Sequence, residues 1–301
     1  MAHDNSEFRY LPAQADALGI SAPTVQRVHV ELSDGRTLSA LRFGEGAPEV
    51  TLLHGAGLNA HTWDSVLLLL SRPALALDLA GHGDSTWRED IDYSPATLAE
   101  DVAAAISTWS TGPQVLVGHS LGGLTAATLA AQHPDLVREL VLVDIVPGLD
   151  TDAAPAILRK FYQVTEFESR AAAVERAEAF GFGGSRADTE RGVHFNTRVR
   201  DDGRVEWKHH FAHILGQAFD ALKATGRDGS ADPWEALASV TVPITLVRGT
   251  HGFLQDADVA EFSRRLPAAS VVAVDAGHNV QETRPASLAS IVSDSLNRDR
   301  R

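Results

Sequence analysis

The chain of 301 residues contains no cysteine, one methionine and three tyrosines. Without cysteine there is no disulfide framework, no thiolate metal site and no cysteine nucleophile. Long apolar runs are also missing. The longest, such as Val66–Leu70, fall far short of the roughly 20 residues a membrane-spanning helix needs. Basic residues are few: 26 Lys+Arg stand against 40 Asp+Glu, a formal net charge of −14. That balance excludes a phosphate backbone as the natural partner, because nucleic acid is held by a basic face. The first residues, Met1-Ala2-His3-Asp4-Asn5-Ser6-Glu7, carry acids and no apolar core, so a secretory signal is not expected and the cytoplasm is the expected location. No internal repeat is visible. What is present, 44% apolar and 22% charged residues with 24 Gly and 13 Pro, is the composition of a globular chain. A chain of this length buries roughly three quarters of its unfolded surface on folding, enough for a real core.

Short β-rich runs alternate with helix-length segments. Val25–Leu32 and Leu38–Phe43 read as strands around the turn Ser33-Asp34-Gly35-Arg36. Glu49–Leu53, Ala74–Leu79, Gln114–Val117, Glu139–Val143, Ile244–Val247 and Ser270–Val274 are nearly continuous apolar runs, as expected of strands buried on both faces. Helices are expected at His61–Leu70, Pro95–Trp109, Leu121–Gln132, Asp256–Leu266 and Pro285–Leu296, with Ser94 capping the second. This alternation predicts an α/β fold with a doubly wound, mostly parallel sheet. It breaks between about Pro147 and Trp234. That stretch predicts helices at Ala153–Gln163 and Ser169–Phe180, a Gly-rich loop, a hairpin of Val193–Val199 with Arg204–Lys208, and a helix at His209–Leu222. The expected division is an N-terminal extension (1–24), a core (25–146 and 236–298) and an inserted, largely helical cap (147–235).

Gly118-His119-Ser120-Leu121-Gly122 stands between an apolar strand and a helix. G-x-S-x-G in that context lifts one hydroxyl above a sheet edge on a sharp turn, at a helix N-terminus whose N–H groups favour a developing oxyanion. A serine hydroxyl needs a base. His278, in the loop after the last strand, can reach it, because loops at the C-terminal ends of parallel strands meet at one edge. His54-Gly55-Ala56-Gly57 ends another strand, and its turn can present a bare amide. The N–H groups of Ala56 and Leu121 are therefore the expected oxyanion hole, with His54 bracing the turn.

His54-Gly55-Ala56-Gly57 with Trp63 downstream, Asp78-Leu79-Ala80-Gly81-His82-Gly83-Asp84-Ser85, Gly118-His119-Ser120-Leu121-Gly122-Gly123 and Gly277-His278 resemble the strings of the α/β-hydrolase fold superfamily, in its order and approximate spacing. The resemblance spans residues 25 to 298. It implies an eight-stranded sheet with an antiparallel second strand and a cap inserted after strand six. It also implies that the turn at 81–85 is structural. One position departs. The family's usual acid follows strand seven in a string resembling G-x-x-D, and here Gly249-Thr250-His251-Gly252 ends in glycine. Asp144, at the end of Glu139–Val143, is the preferred acid, since some family members resemble this chain in placing theirs after strand six. Asp256 and Asp258 are rivals better suited to capping the following helix, and Asp275 sits too close in sequence to His278.

The expected activity is that of a serine hydrolase on a small, fairly apolar carboxylic ester or lactone, through an acyl-enzyme and without cofactor or metal. The first alternative is C–C bond cleavage beside a ketone. The second, encouraged by Gly252, is a scaffold that binds a small ligand without turnover. Epoxide hydrolase and haloalkane dehalogenase chemistry is disfavoured, since both need a carboxylate at the position of Ser120. Candidate pocket residues are Trp63, Phe161, Trp207, His210 and Phe211. Tyr162, Phe180, Phe182, Phe195 and Phe219 are further aromatic candidates, most of them expected to be packing. His209, His210 and His213 lack a carboxylate or cysteine pattern that would make a metal site.

Overall fold

The computed structural model describes residues 7–149, 153–214 and 232–298. Its strands are β1 (Val25–Glu31), β2 (Thr37–Phe43), β3 (Val50–Leu53), β4 (Ala74–Asp78), β5 (Gln114–His119), β6 (Val137–Val143), β7 (Glu166–Phe167), β8 (Thr197–Val199), β9 (Val205–Trp207), β10 (Ile244–Gly249) and β11 (Ser270–Val274). Eight of them form one sheet in the order β1-β2-β4-β3-β5-β6-β10-β11. β2 runs antiparallel to both its neighbours, and the pairings from β4 through β11 are parallel. The order places β6 between β5, which leads to Ser120, and β10.

Side-chain alternation divides the core into two faces. Leu53, Leu75, Leu77, Leu116, Leu140, Leu142 and Leu246 point to one side, where α3 (Pro95–Trp109), α4 (Leu121–Gln132) and the helix Asp256–Arg265 cover them. Val50, Leu52, Val115, Val117, Val141, Val143 and Val247 point to the other, against α1 (Leu11–Ala17), α2 (Asp64–Leu70) and the helix Pro285–Asn297. Period-2 strands with both faces apolar can be buried only by helices on both sides. α1 contributes Leu11 and Ala15 to the second face, so part of the N-terminal extension belongs to the core. Ser94 caps α3 by accepting from the Thr97 N–H, with Pro95 at the first turn. Among the described residues no helix is long and apolar enough to cross a membrane.

The segment between β6 and β10 departs from its expected form. It contains α5 (Ala153–Phe161), α6 (Arg170–Ala179) and α7 (Arg186–Asn196), and also a three-stranded sheet in the order β7-β9-β8. The expected hairpin strand Val193–Val199 is a strand only over Thr197–Val199, because Val193–Asn196 complete α7. Ser185 and Asp188 form a capping box that starts this helix. Val193 and Phe195 then turn inward on its buried side. The helix expected over His209–Leu222 is described only as far as Ile214, and the rest, with Phe219, lies outside the described residues. The insertion has its own apolar cluster around Phe161, Phe167, Val174, Val193 and Trp207. It docks on the core through specific contacts. The His210 N–H donates to Gly81 O at 2.8 Å, Trp87 Nε1 to Lys208 O at 2.8 Å, and Asn59 Nδ2 to Asn196 Oδ1 at 2.8 Å.

The loops at the carboxyl end of the sheet are held by one buried carboxylate. Asp78, at the end of β4, is inaccessible to solvent. Its Oδ1 accepts from the Ala60 N–H at 2.8 Å, and its Oδ2 from the Asp84 N–H at 3.1 Å and from Arg27 Nη1 at 2.6 Å. Burial pushes the Asp78 carboxyl pKa up, but Arg27, His54 and the Ala60 and Asp84 amides together outweigh it and hold the group below the usual carboxylate range. Arg27 also donates to Ser39 and pairs with Glu7. A buried carboxylate stripped of its cation is expensive. Arg27→Met is therefore expected to lower the unfolding free energy by about 3–5 kcal/mol, read from urea denaturation. A loss below about 1 kcal/mol would mean that Asp78 does not depend on the guanidinium.

Candidate active site

β5 ends at His119, and Ser120 forms the turn into α4. Its backbone sits at φ 52, ψ −119, a conformation serine rarely adopts and one that costs about 1–3 kcal/mol. The turn is tight because three backbones meet there. A Cβ on Gly118 would lie 2.3 Å from Gly122 O, and one on Gly122 would lie 2.3 Å from Leu53 O on β3. Glycine at both positions lets α4 press against β5 and β3, and the serine is carried over the sheet edge at the helix N-terminus.

Asp144 is the first residue after β6 and takes a left-handed conformation, φ 50, which Asp tolerates better than most side chains. Its carboxylate is fully buried and accepts three hydrogen bonds: from the Gly249 N–H at 3.0 Å, the Phe253 N–H at 2.8 Å, and His278 Nδ1 at 2.8 Å. Because a carboxylate oxygen accepts, Nδ1 of His278 carries a proton and Nε2 is left without one. Gly252 follows from this arrangement. A Cβ there would stand 2.2 Å from Asp144 Oδ2. The carboxylate from β6 fills the space that a side chain after β10 would otherwise occupy. The rival acids are engaged elsewhere. Asp256 is exposed and pairs with Arg248 at 2.7 Å, and Asp258 Oδ2 accepts from the Gln255 N–H in a capping box. Asp275 pairs with His251 at 3.1 Å. The Phe253 ring stacks on the His278 imidazole, centroids 3.8 Å apart, a contact the sequence did not suggest.

Ser120, His278, Ala56 and Leu121 all line one cavity of about 1510 Å³ between the sheet edge and the insertion. The amides of Ala56 and Leu121 donate to no other described residue. Three neutral histidines fix the surrounding backbone. His54 Nε2 accepts from the Leu79 N–H at 3.0 Å, so its Nδ1 donates to Gly55 O at 2.8 Å. His82 Nε2 accepts from the Gly57 N–H at 3.1 Å, and its Nδ1 donates to Ala80 O at 3.1 Å. His119 donates from Nε2 to His278 O at 3.1 Å. Burial holds all three below the usual histidine pKa, His82 down to about 3, so their acceptor nitrogens persist at neutral pH. His54 braces the turn in this way. The equal parts of His82 and His119 were not foreseen, although each lies inside a motif string.

Phe161, Trp207 and Phe211 line the cavity, as do Tyr162, Phe182 and Phe195. Two expected pocket residues do not. Trp63 is fully buried in the apolar cluster with Phe43 and Val66, because the short 3₁₀ turn Ala60–Trp63 directs it into the core. His210 faces the 81–93 loop: its ring stacks on Trp87 at 4.4 Å and its Nδ1 meets Tyr93 Oη at 2.8 Å. Its neighbours are also occupied. His209 Nδ1 accepts from the Ala212 N–H, and His213 Nε2 donates to Trp207 O. Among the described residues no group of three or more His, Cys, Asp or Glu could hold a metal.

The competition for one space between Asp144 and residue 252 can be measured. Gly252→Ala is expected to lower the unfolding free energy by about 1–3 kcal/mol. In a chain carrying Asp144→Gly the same change is expected to cost far less, a coupling of about 1–3 kcal/mol in a urea double-mutant cycle. Additive costs would show that the carboxylate does not fill that space.

Residues 48–285 match the alpha/beta hydrolase fold family. The chain is 39% identical over 295 residues to the esterase Rv0045c of Mycobacterium tuberculosis, covering 95% of this chain and 94% of the relative. A solved structure of that esterase superposes with a TM-score of 0.80 at 37% identity, covering 98% and 99% of the two chains. The chain is also 31% identical over 253 residues to 2-(acetamidomethylene)succinate hydrolase of Mesorhizobium japonicum, covering 83% and 87%. With a family match across most of its length and the eight-stranded sheet to go with it, the chain belongs to the α/β-hydrolase fold family.

Proposed function

We propose that this protein hydrolyses a small, fairly apolar carboxylic ester or lactone through an acyl-enzyme, with Ser120 as nucleophile, His278 as general base and acid, and Asp144 as the group that orients His278. The observation that carries this reading is the 2.8 Å bond from His278 Nδ1 to the buried Asp144 carboxylate, at a cavity that Ser120 also lines. In this mechanism His278 Nε2 takes the serine proton as Oγ attacks the carbonyl carbon. The Ala56 and Leu121 amides receive the oxyanion, each such donor being worth about 3 kcal/mol in comparable sites. The protonated imidazole then delivers its proton to the leaving alkoxide. Water, activated by the same Nε2, releases the acid and restores the serine. Asp144 stabilises the imidazolium and stays ionised throughout.

The insertion serves as the cap, supplying Phe161, Trp207 and Phe211 to the cavity wall. Esterase activity is the name carried by the 39% identical relative, and this favours an ester over a C–C bond as the scissile group. The reading of a scaffold without turnover rests on Gly252, and it loses its support where the Asp144 carboxylate fills the place of the usual acid.

p-Nitrophenyl butyrate is expected to be turned over, and a fluorophosphonate to label the protein once. Ser120→Ala is expected to abolish labelling and lower kcat by at least about 10⁴-fold. A wild-type chain that neither turns over esters nor is labelled would refute the reading, as would a Ser120→Ala variant that keeps its activity.

A further inference from the structure

Tyr162 follows α5 in the insertion, and its hydroxyl reaches across to the core loop that carries Ala56. A Cβ on Gly57 would lie 2.9 Å from Tyr162 Oη. Gly57 is itself fixed, since its amide is bonded to His82. The tyrosine ring is clamped by Phe161, Trp207, His209 and Phe211, with centroids 4.8, 5.7, 5.0 and 5.9 Å away. Tyr162 lines the cavity, yet its hydroxyl makes no hydrogen bond to any described residue. Burial raises the phenol pKa well above the ordinary tyrosine value, so the group keeps its proton. The neighbouring His209 adds a second unmatched group. Its Nδ1 accepts from the Ala212 N–H, which leaves the proton on Nε2, and Nε2 is buried without a partner. Polar atoms in such surroundings are normally paired, and leaving one unpaired costs about 1–3 kcal/mol. The buried Nε2 of His209 and the cavity-lining hydroxyl of Tyr162, both beside the 54–57 loop, mark a place where a ligand oxygen completes the bonding.

We propose that Tyr162 is a catalytic residue contributed by the insertion, its hydroxyl donating a hydrogen bond to the carbonyl oxygen of the bound ester beside the Ala56 amide. This rests on the ester-hydrolase reading. The phenol does not transfer its proton. It strengthens its bond as the oxygen gains charge, so its effect falls on the transition state more than on substrate binding. The site then has a donor on the insertion as well as two on the core, and the oxyanion is fully surrounded only when the insertion is docked.

Tyr162→Phe in the full chain tests this, since it removes one oxygen and keeps the ring contacts. With p-nitrophenyl butyrate, kcat is expected to fall about tenfold with KM changed less than twofold, a loss of the size expected for one hydrogen bond to a developing charge. A trifluoromethyl ketone, which forms an oxyanionic adduct with the serine, is expected to bind the variant about tenfold more weakly. The melting temperature is expected to stay level or rise, because the lost hydroxyl had no protein partner. Wild-type kcat and inhibitor affinity in the variant, with fluorophosphonate labelling intact in both proteins, would overturn the role of Tyr162 and leave the hydrolase reading standing. A melting temperature lowered by several degrees would also overturn it, by showing that the hydroxyl serves the fold. Absence of turnover and of labelling in the wild type would remove the hydrolase reading, and this proposal with it.

Discussion

The hydrogen bond between the Asp144 carboxylate and His278 Nδ1 is the interaction on which the geometry of the site depends. It joins the ends of two strands that are not neighbours, β6 and β11, across the end of β10. The same carboxylate takes the amides of Gly249 and Phe253, so it also shapes the loop after β10. Three donors on one buried carboxylate offset the cost of taking it out of water. They also account for two local anomalies, the left-handed backbone at Asp144 and the glycine at 252. Both make room for a carboxylate that enters from β6.

Around this pair the chain uses uncharged histidines as backbone clamps. His54, His82 and His119 each present one nitrogen as acceptor and one as donor, and burial keeps them neutral so that both roles persist. Asp78 and Arg27 perform the corresponding task with charge, tying β1 and β4 to the loops at 60 and 84. On the proposed reading the Ala56 and Leu121 amides receive an oxyanion, and such amides are useful only if they do not move to meet it. The concentration of buried polar groups at this end of the sheet, where each pins a specific amide or carbonyl, is consistent with that need.

Much of this was legible in the residues. Nearly continuous apolar runs mark six of the eight strands of the large sheet, the signal left by strands buried on both faces, although β11 at the sheet edge is largely exposed; β1 and β2 show instead as two runs around the turn at 33–36. Gly118, Ser120 and Gly122 declare a close crossing of backbones, which the 2.3 Å approaches make explicit. Gly252 leaves the usual position after β10 without an acid, and the strand order then allows Asp144 as a candidate beside its rivals Asp256 and Asp258. The insertion was less legible. Val193–Asn196 carry β-type and polar residues that suit a strand, and only the capping box at Ser185 and Asp188, eight residues upstream of Val193, announces a helix. Trp63 and His210 were misplaced for a different reason: sequence places a residue near a site but does not say which way its side chain turns. The stacking of Phe253 on His278 and the unpaired hydroxyl of Tyr162 are contacts between distant segments, and no local pattern encodes them.

The most direct test of the central pair compares two conservative variants in one assay. Asp144→Asn keeps the shape of the side chain but removes the charge that fixes the histidine tautomer, and Asp256→Asn removes the nearest rival in sequence. The expected result is a loss of about 10⁴-fold in kcat for Asp144→Asn with Asp256→Asn close to wild type. Near-normal turnover by Asp144→Asn, or a severe loss in Asp256→Asn alone, would contradict the assignment of the acid to Asp144.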